Sequence, residues 1–277
     1  MRNVSEATIT EAVTRKFYGC DNVRLKQIIT SLVKHLHDFV REIEPNDAEW
    51  SAAIKFLTET GQKCDDKRQE FILLSDVLGV STFVELINNR KEPGMTETSV
   101  FGPFWVDGAP HKPMGATIVQ DSTLSDLSVQ GLVHDPAGAP ISGAVMDVWQ
   151  TAPNGMYDVQ DSNQPEMNLR GKFTTGTDGR YDFRTCMPTE YPIPTDGPVG
   201  ALLRATGRHP WRPAHLHFMI TAPGYRPLIT SLYFEGDQYL DSDTVFGVKD
   251  SLVVAPKPTG DTGLSQISYN FGLERAV

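Results

Sequence analysis

Two histidines, His215 and His217, stand two residues apart in the run Arg212-Pro213-Ala214-His215-Leu216-His217-Phe218. The run is apolar enough to be a strand, where side chains alternate and positions two apart face the same side. Two imidazoles so placed can share one metal ion. His35 and His37 have the same spacing but sit in a helical pattern. There, positions i and i+2 diverge by about 200° and cannot chelate one ion, so these two read as ordinary helix residues. A His-x-His pair by itself also describes two core or surface histidines. The residues in front of it favour the ligand reading: an arginine beside a metal pocket suits an anion, and Pro213 suits a strand start because it cannot donate to the ladder.

The remaining ligands must come from elsewhere. Acidic residues usually complete a two-histidine iron site. The turn-rich segments upstream instead offer tyrosines, in Asn154-Gly155-Met156-Tyr157 and in Thr189-Glu190-Tyr191-Pro192-Ile193-Pro194. Tyr18, Tyr181, Tyr225, Tyr233, Tyr239 and Tyr269 read as amphipathic packing residues. A phenolate is a hard anionic donor that favours ferric iron and stabilises it against reduction. Two tyrosines with two histidines would therefore mean Fe(3+), although spacing alone leaves the ligand set open.

The elements that must position these groups fall into two textures. After Asp21-Asn22, a cap pair, apolar residues recur at Leu25, Ile28, Ile29, Leu32, Val33, Leu36, Phe39, Val40 and Ile43, one stripe of a helix. Pro45 ends it, and Asp47 can cap a second helix with Trp50, Ala53, Ile54 and Leu57. Phe71–Ile87 reads as a buried apolar segment, and Ile9–Phe17 as a weaker helix. From about Glu92, Gly and Pro become frequent, and short alternating runs follow at Leu127–His134, Ala144–Gln150, Tyr181–Arg184, His215–Thr221 and Leu228–Phe234. The expected fold is α+β: a helical domain over 1–92, a Pro/Gly-rich connector over 93–125 and an all-β sandwich over 126–277.

Charge and cysteines narrow the partners. The net charge of −10 argues against nucleic acid, which needs clustered Lys and Arg, and against an anionic membrane surface. Cys20, Cys64 and Cys186 are odd in number and lack metal-ligand spacing, as expected of reduced structural thiols. Met1–Thr10 carries charge and no apolar stretch, so no signal peptide is expected, and no run has the length of a membrane span. The expectation is a soluble, cytoplasmic protein.

The ordered set Val148-Trp149-Gln150, Asn154-Gly155-Met156-Tyr157, Tyr191 and Arg212-Pro-Ala-His-Leu-His217 resembles the intradiol ring-cleaving dioxygenases, across essentially the whole β domain. The helical N-terminal part is similar to the catechol branch of that family rather than the protocatechuate branch. The resemblance implies that Tyr157, Tyr191, His215 and His217 ligate Fe(3+). It further implies that an aromatic diol binds as a chelating dianion in place of Tyr191, which helps take a substrate proton. Arg212 matches an arginine that stabilises carbanion-like charge on the ring. Ser231 stands where catechol enzymes carry a glutamine beside the iron, which puts that supporting role in doubt.

Val100-Phe101-Gly102-Pro103-Phe104 and Tyr191-Pro192-Ile193-Pro194-Thr195-Asp196-Gly197-Pro198 resemble the hydroxyquinol 1,2-dioxygenase subgroup. The implied pocket is Leu73, Asp76, Val100, Phe101, Gly102, Pro103, Phe104, Ile193, Pro194 and Arg212, the substrate benzene-1,2,4-triol, and the product 3-hydroxy-cis,cis-muconate or its tautomer maleylacetate. Leu73 and Asp76 are i, i+3 on one helix face, so both can reach one pocket. Asp76 could there accept a hydrogen bond from the third hydroxyl; the other reading is a solvated carboxylate on an exposed face. A catechol or chlorocatechol 1,2-dioxygenase is the alternative. The resemblance also implies a homodimer built from the N-terminal helices, with phospholipid in an apolar tunnel, although the Leu25–Ile43 stripe could equally be an internal core.

Two rivals differ in kind. Gly131–Gly143 with Gly179-Arg-Tyr-Asp-Phe183 also resembles non-catalytic transthyretin-like sandwich modules, which need neither the placed tyrosines nor the Arg-Pro-Ala-His-Leu-His run. A zinc hydrolase would use His, Cys and carboxylate rather than tyrosinate.

Overall fold

The protein is described by a computed structural model covering residues 2–65, 68–90, 92–120, 125–260 and 263–276. Residues 1, 66, 67 and 91 of the expected helical domain, 121–124 of the expected connector, and 261, 262 and 277 of the expected sandwich lie outside the described residues. The chain forms two compact units, 1–59 and 60–277.

The first unit is helical. Helix α1 spans Ile9–Arg15 and α2 spans Val23–Ile43, where the Asn22 side chain accepts the Leu25 N–H at 2.9 Å as an N-cap. Its apolar stripe is about half exposed and α2 has no buried residue. Helix α3, Asp47–Gln62, is capped by Asn46 rather than Asp47. The Asn46 side chain accepts from Ala48 and Glu49 N–H while Glu49 accepts the Asn46 N–H, a reciprocal box.

The second unit begins with α4 (Glu70–Val77) and α5 (Val80–Asn88). The single apolar segment expected here is broken at Gly79, whose φ of +72° is a left-handed turn that glycine adopts without a Cβ penalty. Helices α4 and α5 belong to the same compact unit as the sheets, so the helical domain defined by element type ends later than the first compact unit.

The strands are β1 (Leu127–His134), β2 (Val145–Trp149), β3 (Arg170–Thr174), β4 (Arg180–Thr185), β5 (Tyr191–Pro192), β6 (Trp211–Arg212), β7 (His215–Thr221), β8 (Leu228–Phe234), β9 (Val253–Val254), β10 (Lys257–Thr259), β11 (Leu264–Ser268) and β12 (Phe271–Gly272). Helix α6, Pro198–Ala205, follows β5 and has Pro in its first turn. One sheet runs β10-β11-β1-β12 with β4 also paired to β1; the other runs β3-β2-β7-β8-β9. Val129, Val133 and Phe183 of the first sheet and Met146, Val148, Phe218 and Leu232 of the second fill one buried core, as in a sandwich. The connector is bonded onto both sheets: Lys112 N–H donates to Lys172 O, and Ile118 N–H to Arg184 O.

Candidate metal and substrate site

Strand β7 has two buried faces. Leu216, Phe218 and Ile220 enter the sandwich core, so the alternation sends His215 and His217 to the opposite face. Register fixes their neighbours. Trp149 of β2 pairs with His217, Ser231 of β8 pairs with His217, and Tyr233 pairs with His215. The short β5–β6 ladder sets Tyr191 against Arg212. Tyr157 comes from the turn after β2, where Gln160 accepts its backbone N–H at 3.0 Å.

The sequence-expected ligands therefore meet. The Nε2 atoms of His215 and His217 are 3.0 Å apart, and the Tyr157 and Tyr191 oxygens 3.5 Å apart. All four side chains are buried, Tyr191 the most open at 4%. The His215 Nδ1–H donates to Pro213 O at 2.7 Å, which leaves the lone pair on Nε2. His217 Nδ1 lies 3.0 Å from Ser231 Oγ, and the His217 ring stacks on Trp149 at 4.8 Å and 6°.

The protonation of these four groups suits donors to a cation. Burial and then the Arg212 charge push His215 down to about 3, and burial and His215 drive His217 well below its usual value. Both imidazoles are neutral near pH 7. Burial, followed by Tyr191, holds the Tyr157 phenol well above its ordinary range. Two imidazole nitrogens facing each other at 3.0 Å beside two phenols suit a cation that can accept both nitrogens and displace the phenol protons. The donors fit a hard, highly charged metal ion. Among the described residues no cluster of three or more His, Cys, Asp or Glu side chains could hold one, so the tyrosines are needed to complete a site here.

Arg212 is buried with one edge turned to the ligands: Nη1 lies 3.5 Å from Tyr191 Oη and 3.3 Å from His215 Nε2. Burial works against its charge, but Asp243 beside it more than compensates and holds its pKa above the ordinary value.

A cavity of about 560 Å³ adjoins this cluster, lined among others by Leu73, Asp76, Pro103, Phe104 and Pro194. Phe104 stacks on Tyr157 at 4.5 Å and joins the cavity to the ligands. Leu73 and Asp76 are both buried, so α4 presents them inward rather than to solvent. Burial raises the Asp76 carboxyl above its usual range, opposed by the Ser81 hydroxyl and the Arg212 charge. Phe101 packs edge-on against Trp149, and Gly102 lies so close to the ligands that a Cβ there would meet His217 Cε1 at 3.4 Å. Ile193 lines a neighbouring depression with Pro194, and Val100 is buried; Val100, Phe101, Gly102, Ile193 and Arg212 are not part of the cavity wall itself.

Three residues take site roles that the sequence reading did not assign to them. Tyr233 is no mere packing residue, since its oxygen accepts from Arg212 Nη2 at 3.3 Å. Trp149 forms the wall behind His217, and its buried indole N–H has no partner among the described residues. Asp243 pairs with Arg212 from 31 residues away. The β7–β8 hairpin register could have pointed to Tyr233; no local signal marks Asp243.

Comparison with known proteins agrees with this arrangement. Residues 100–275 match the family described as dioxygenase, and residues 22–96 the catechol dioxygenase N terminus. The chain is 53% identical over 253 residues to the 6-chlorohydroxyquinol 1,2-dioxygenase of Cupriavidus pinatubonensis, covering 91% of this chain and 92% of that one. It is 52% identical over 249 residues to the hydroxyquinol 1,2-dioxygenase of a Rhizobium species, covering 90% and 84%. The crystal structure of hydroxyquinol 1,2-dioxygenase from Pseudomonas putida DLL-E4 superposes with a TM-score of 0.92 at 50% identity, over 98% of this chain and 99% of that one. With the fold, the ligand geometry and these relatives in agreement, the chain belongs to the intradiol ring-cleaving dioxygenases.

Proposed function

We propose that this chain cleaves benzene-1,2,4-triol, hydroxyquinol, between its adjacent hydroxyl-bearing carbons, taking up O2 to give 3-hydroxy-cis,cis-muconate and its tautomer maleylacetate. The observation that carries this reading is the convergence of Tyr157, Tyr191, His215 and His217 in a buried site beside a cavity that holds Asp76. Names of the relatives, which act on hydroxyquinols, support the choice of ring.

In this reading the four side chains hold Fe(3+). The ion, when bound, supplies the Lewis acidity that lets a chelated diolate ring react with O2. The protein does the rest. Among the described residues Tyr191 has no hydrogen bond shorter than 3.5 Å at its oxygen, so its Oη would be available to take a proton from an entering hydroxyl. Arg212 Nη1 holds positive charge where negative charge develops on the ring. Phe104, Pro103 and Leu73 keep water from the ring. Asp76 accepts from the third hydroxyl and so selects triol over diol.

The half-exposed stripe of α2 supports a homodimer formed by the N-terminal helices, with phospholipid as a further occupant of the apolar face. Lipid extraction followed by mass spectrometry tests the latter. Among the described residues no helix is long and apolar enough to cross a membrane. Three free cysteines support a cytoplasmic location.

The visible spectrum of the iron-loaded protein tests the function, before and after adding the triol without oxygen. A broad tyrosinate-to-iron band that shifts on addition is the expected result. A colourless iron-loaded protein with no response to the triol would overturn the reading.

A further inference from the structure

We propose that Asp243 is the positioning residue that aims Arg212 at the substrate ring, acting with Tyr233 and Gly247 as a holder for the guanidinium. This rests on the reading of Arg212 as the group that stabilises charge on the ring.

A guanidinium has five N–H donors in a rigid plane, so fixing one edge fixes where the other points. Asp243 takes one edge in two-point fashion: Nε donates to Oδ1 at 3.0 Å and Nη2 to Oδ2 at 3.2 Å. Nη2 also donates to Tyr233 Oη at 3.3 Å. Only Nη1 is then left over, and it is the nitrogen that faces Tyr191 and His215.

The carboxylate is itself held. Gly247 N–H donates to Oδ2 at 2.9 Å and Val245 N–H to Oδ1 at 3.3 Å, so the loop after the short 3₁₀ turn Leu240–Ser242 closes around it. Tyr233 is anchored on its far side by Ser99, whose hydroxyl lies 2.9 Å away and also donates to Gly247 O at 2.9 Å. Gly247 has no room for a side chain: a Cβ would stand 2.8 Å from Tyr233 Oη and 3.0 Å from Arg212 Nη2. Asp243 and Arg212 are 5% and 3% exposed, so the holder works where water cannot substitute for a lost partner.

Asp243→Asn tests the inference, because an amide offers one acceptor where the carboxylate offers two and turns its NH2 against a guanidinium N–H. In the iron-loaded enzyme with benzene-1,2,4-triol, kcat should fall at least about tenfold while KM moves less than about threefold, since a transition-state contact is mis-aimed rather than removed. The iron content and the resting visible band should match the wild type.

A double-mutant cycle separates positioning from structure. Combined with Arg212→Ala, Asp243→Asn should lower kcat no further than Arg212→Ala alone. Equal losses in both backgrounds, or wild-type kcat in Asp243→Asn, would overturn the inference. If Asp243→Asn does not fold, Gly247→Ala, whose Cβ would crowd Arg212 Nη2, Tyr233 Oη and Asp243 Oδ2 together while leaving both charges present, enters the same cycle with the same expectations. Unchanged kcat in Arg212→Ala alone would instead remove the role assigned to Arg212 itself.

Discussion

His217 Nδ1 lies 3.0 Å from Ser231 Oγ, across the β7–β8 ladder where the two residues are directly paired. That contact orients the imidazole while its Nε2 faces His215. It gives Ser231 a place in the site even though the residue is short. Where a metal-ligating histidine loses such a partner, affinity or activity falls by about 10–100-fold. Ser231→Ala should therefore lower iron affinity or turnover by about tenfold or more, read by iron titration of the metal-free protein and by turnover after full loading. Wild-type values for both would show that Trp149 stacking alone fixes the ring.

Asp76 predicts a split between substrates. A hydrogen bond to a charged group is worth roughly 1.5–3 kcal/mol, about 10–150-fold in rate. Asp76→Ala should lower kcat/KM for benzene-1,2,4-triol by that order and change kcat/KM for catechol by less than about threefold. Equal losses on both substrates would sink the specificity argument and leave the catechol reading ahead.

How much of this was legible in the sequence follows from the range of each interaction. Strands β1, β7 and β8 were readable to the residue because alternation and turn residues are local signals. The facing of His215 and His217 followed from the same alternation. Gly79 splitting α4 from α5 lay within reach, since glycine at a helix end is a local signal too. The strand Arg170–Thr174 was missed because its Arg-Gly-Lys start breaks the apolar pattern; in the fold Arg170 is buried by pairing with Asp158, twelve residues earlier and outside any strand-length pattern. Helix α6 hid in a stretch rich in Pro and Gly. Asp243 and Tyr233 became site residues only through long-range packing against Arg212.

Cysteine reactivity should divide by burial. The Cys186 thiol is buried, and burial followed by the Asp126 charge pushes it up to about 11. At pH 8 only about one molecule in a thousand carries the reactive thiolate there. Iodoacetamide on the native protein should label Cys20 and Cys64, both partly exposed, and spare Cys186 until denaturant is added. Mass spectrometry of peptides reads the outcome, and labelling of native Cys186 at a rate similar to the other two would contradict the packing around it.

The Asp158–Arg170 pair, next in chain to Tyr157, should be a major stability element. Arg170 Nε and Nη2 donate to Asp158 Oδ1 at 2.8 and 2.6 Å, with side chains only 2% and 5% exposed. The other carboxylate oxygen accepts the Met167 N–H at 3.0 Å and so ties down the loop that carries Tyr157. Removing one member strands a charge out of water, which costs about 3–5 kcal/mol. Asp158→Ala should therefore lower the melting temperature by roughly 6–20 °C at the 2–4 °C per kcal/mol expected for a unit of this size. Replacing both members, as Asp158→Leu with Arg170→Met, should recover much of that loss because no charge is left unpaired. Its iron affinity should nevertheless stay below the wild type, since the Met167 N–H loses its acceptor and the Tyr157 loop loosens. Calorimetry of the single and double variants, with iron titration of each, separates the two effects. A double variant no more stable than Asp158→Ala would show that the loop contact, not the ion pair, carries the stability.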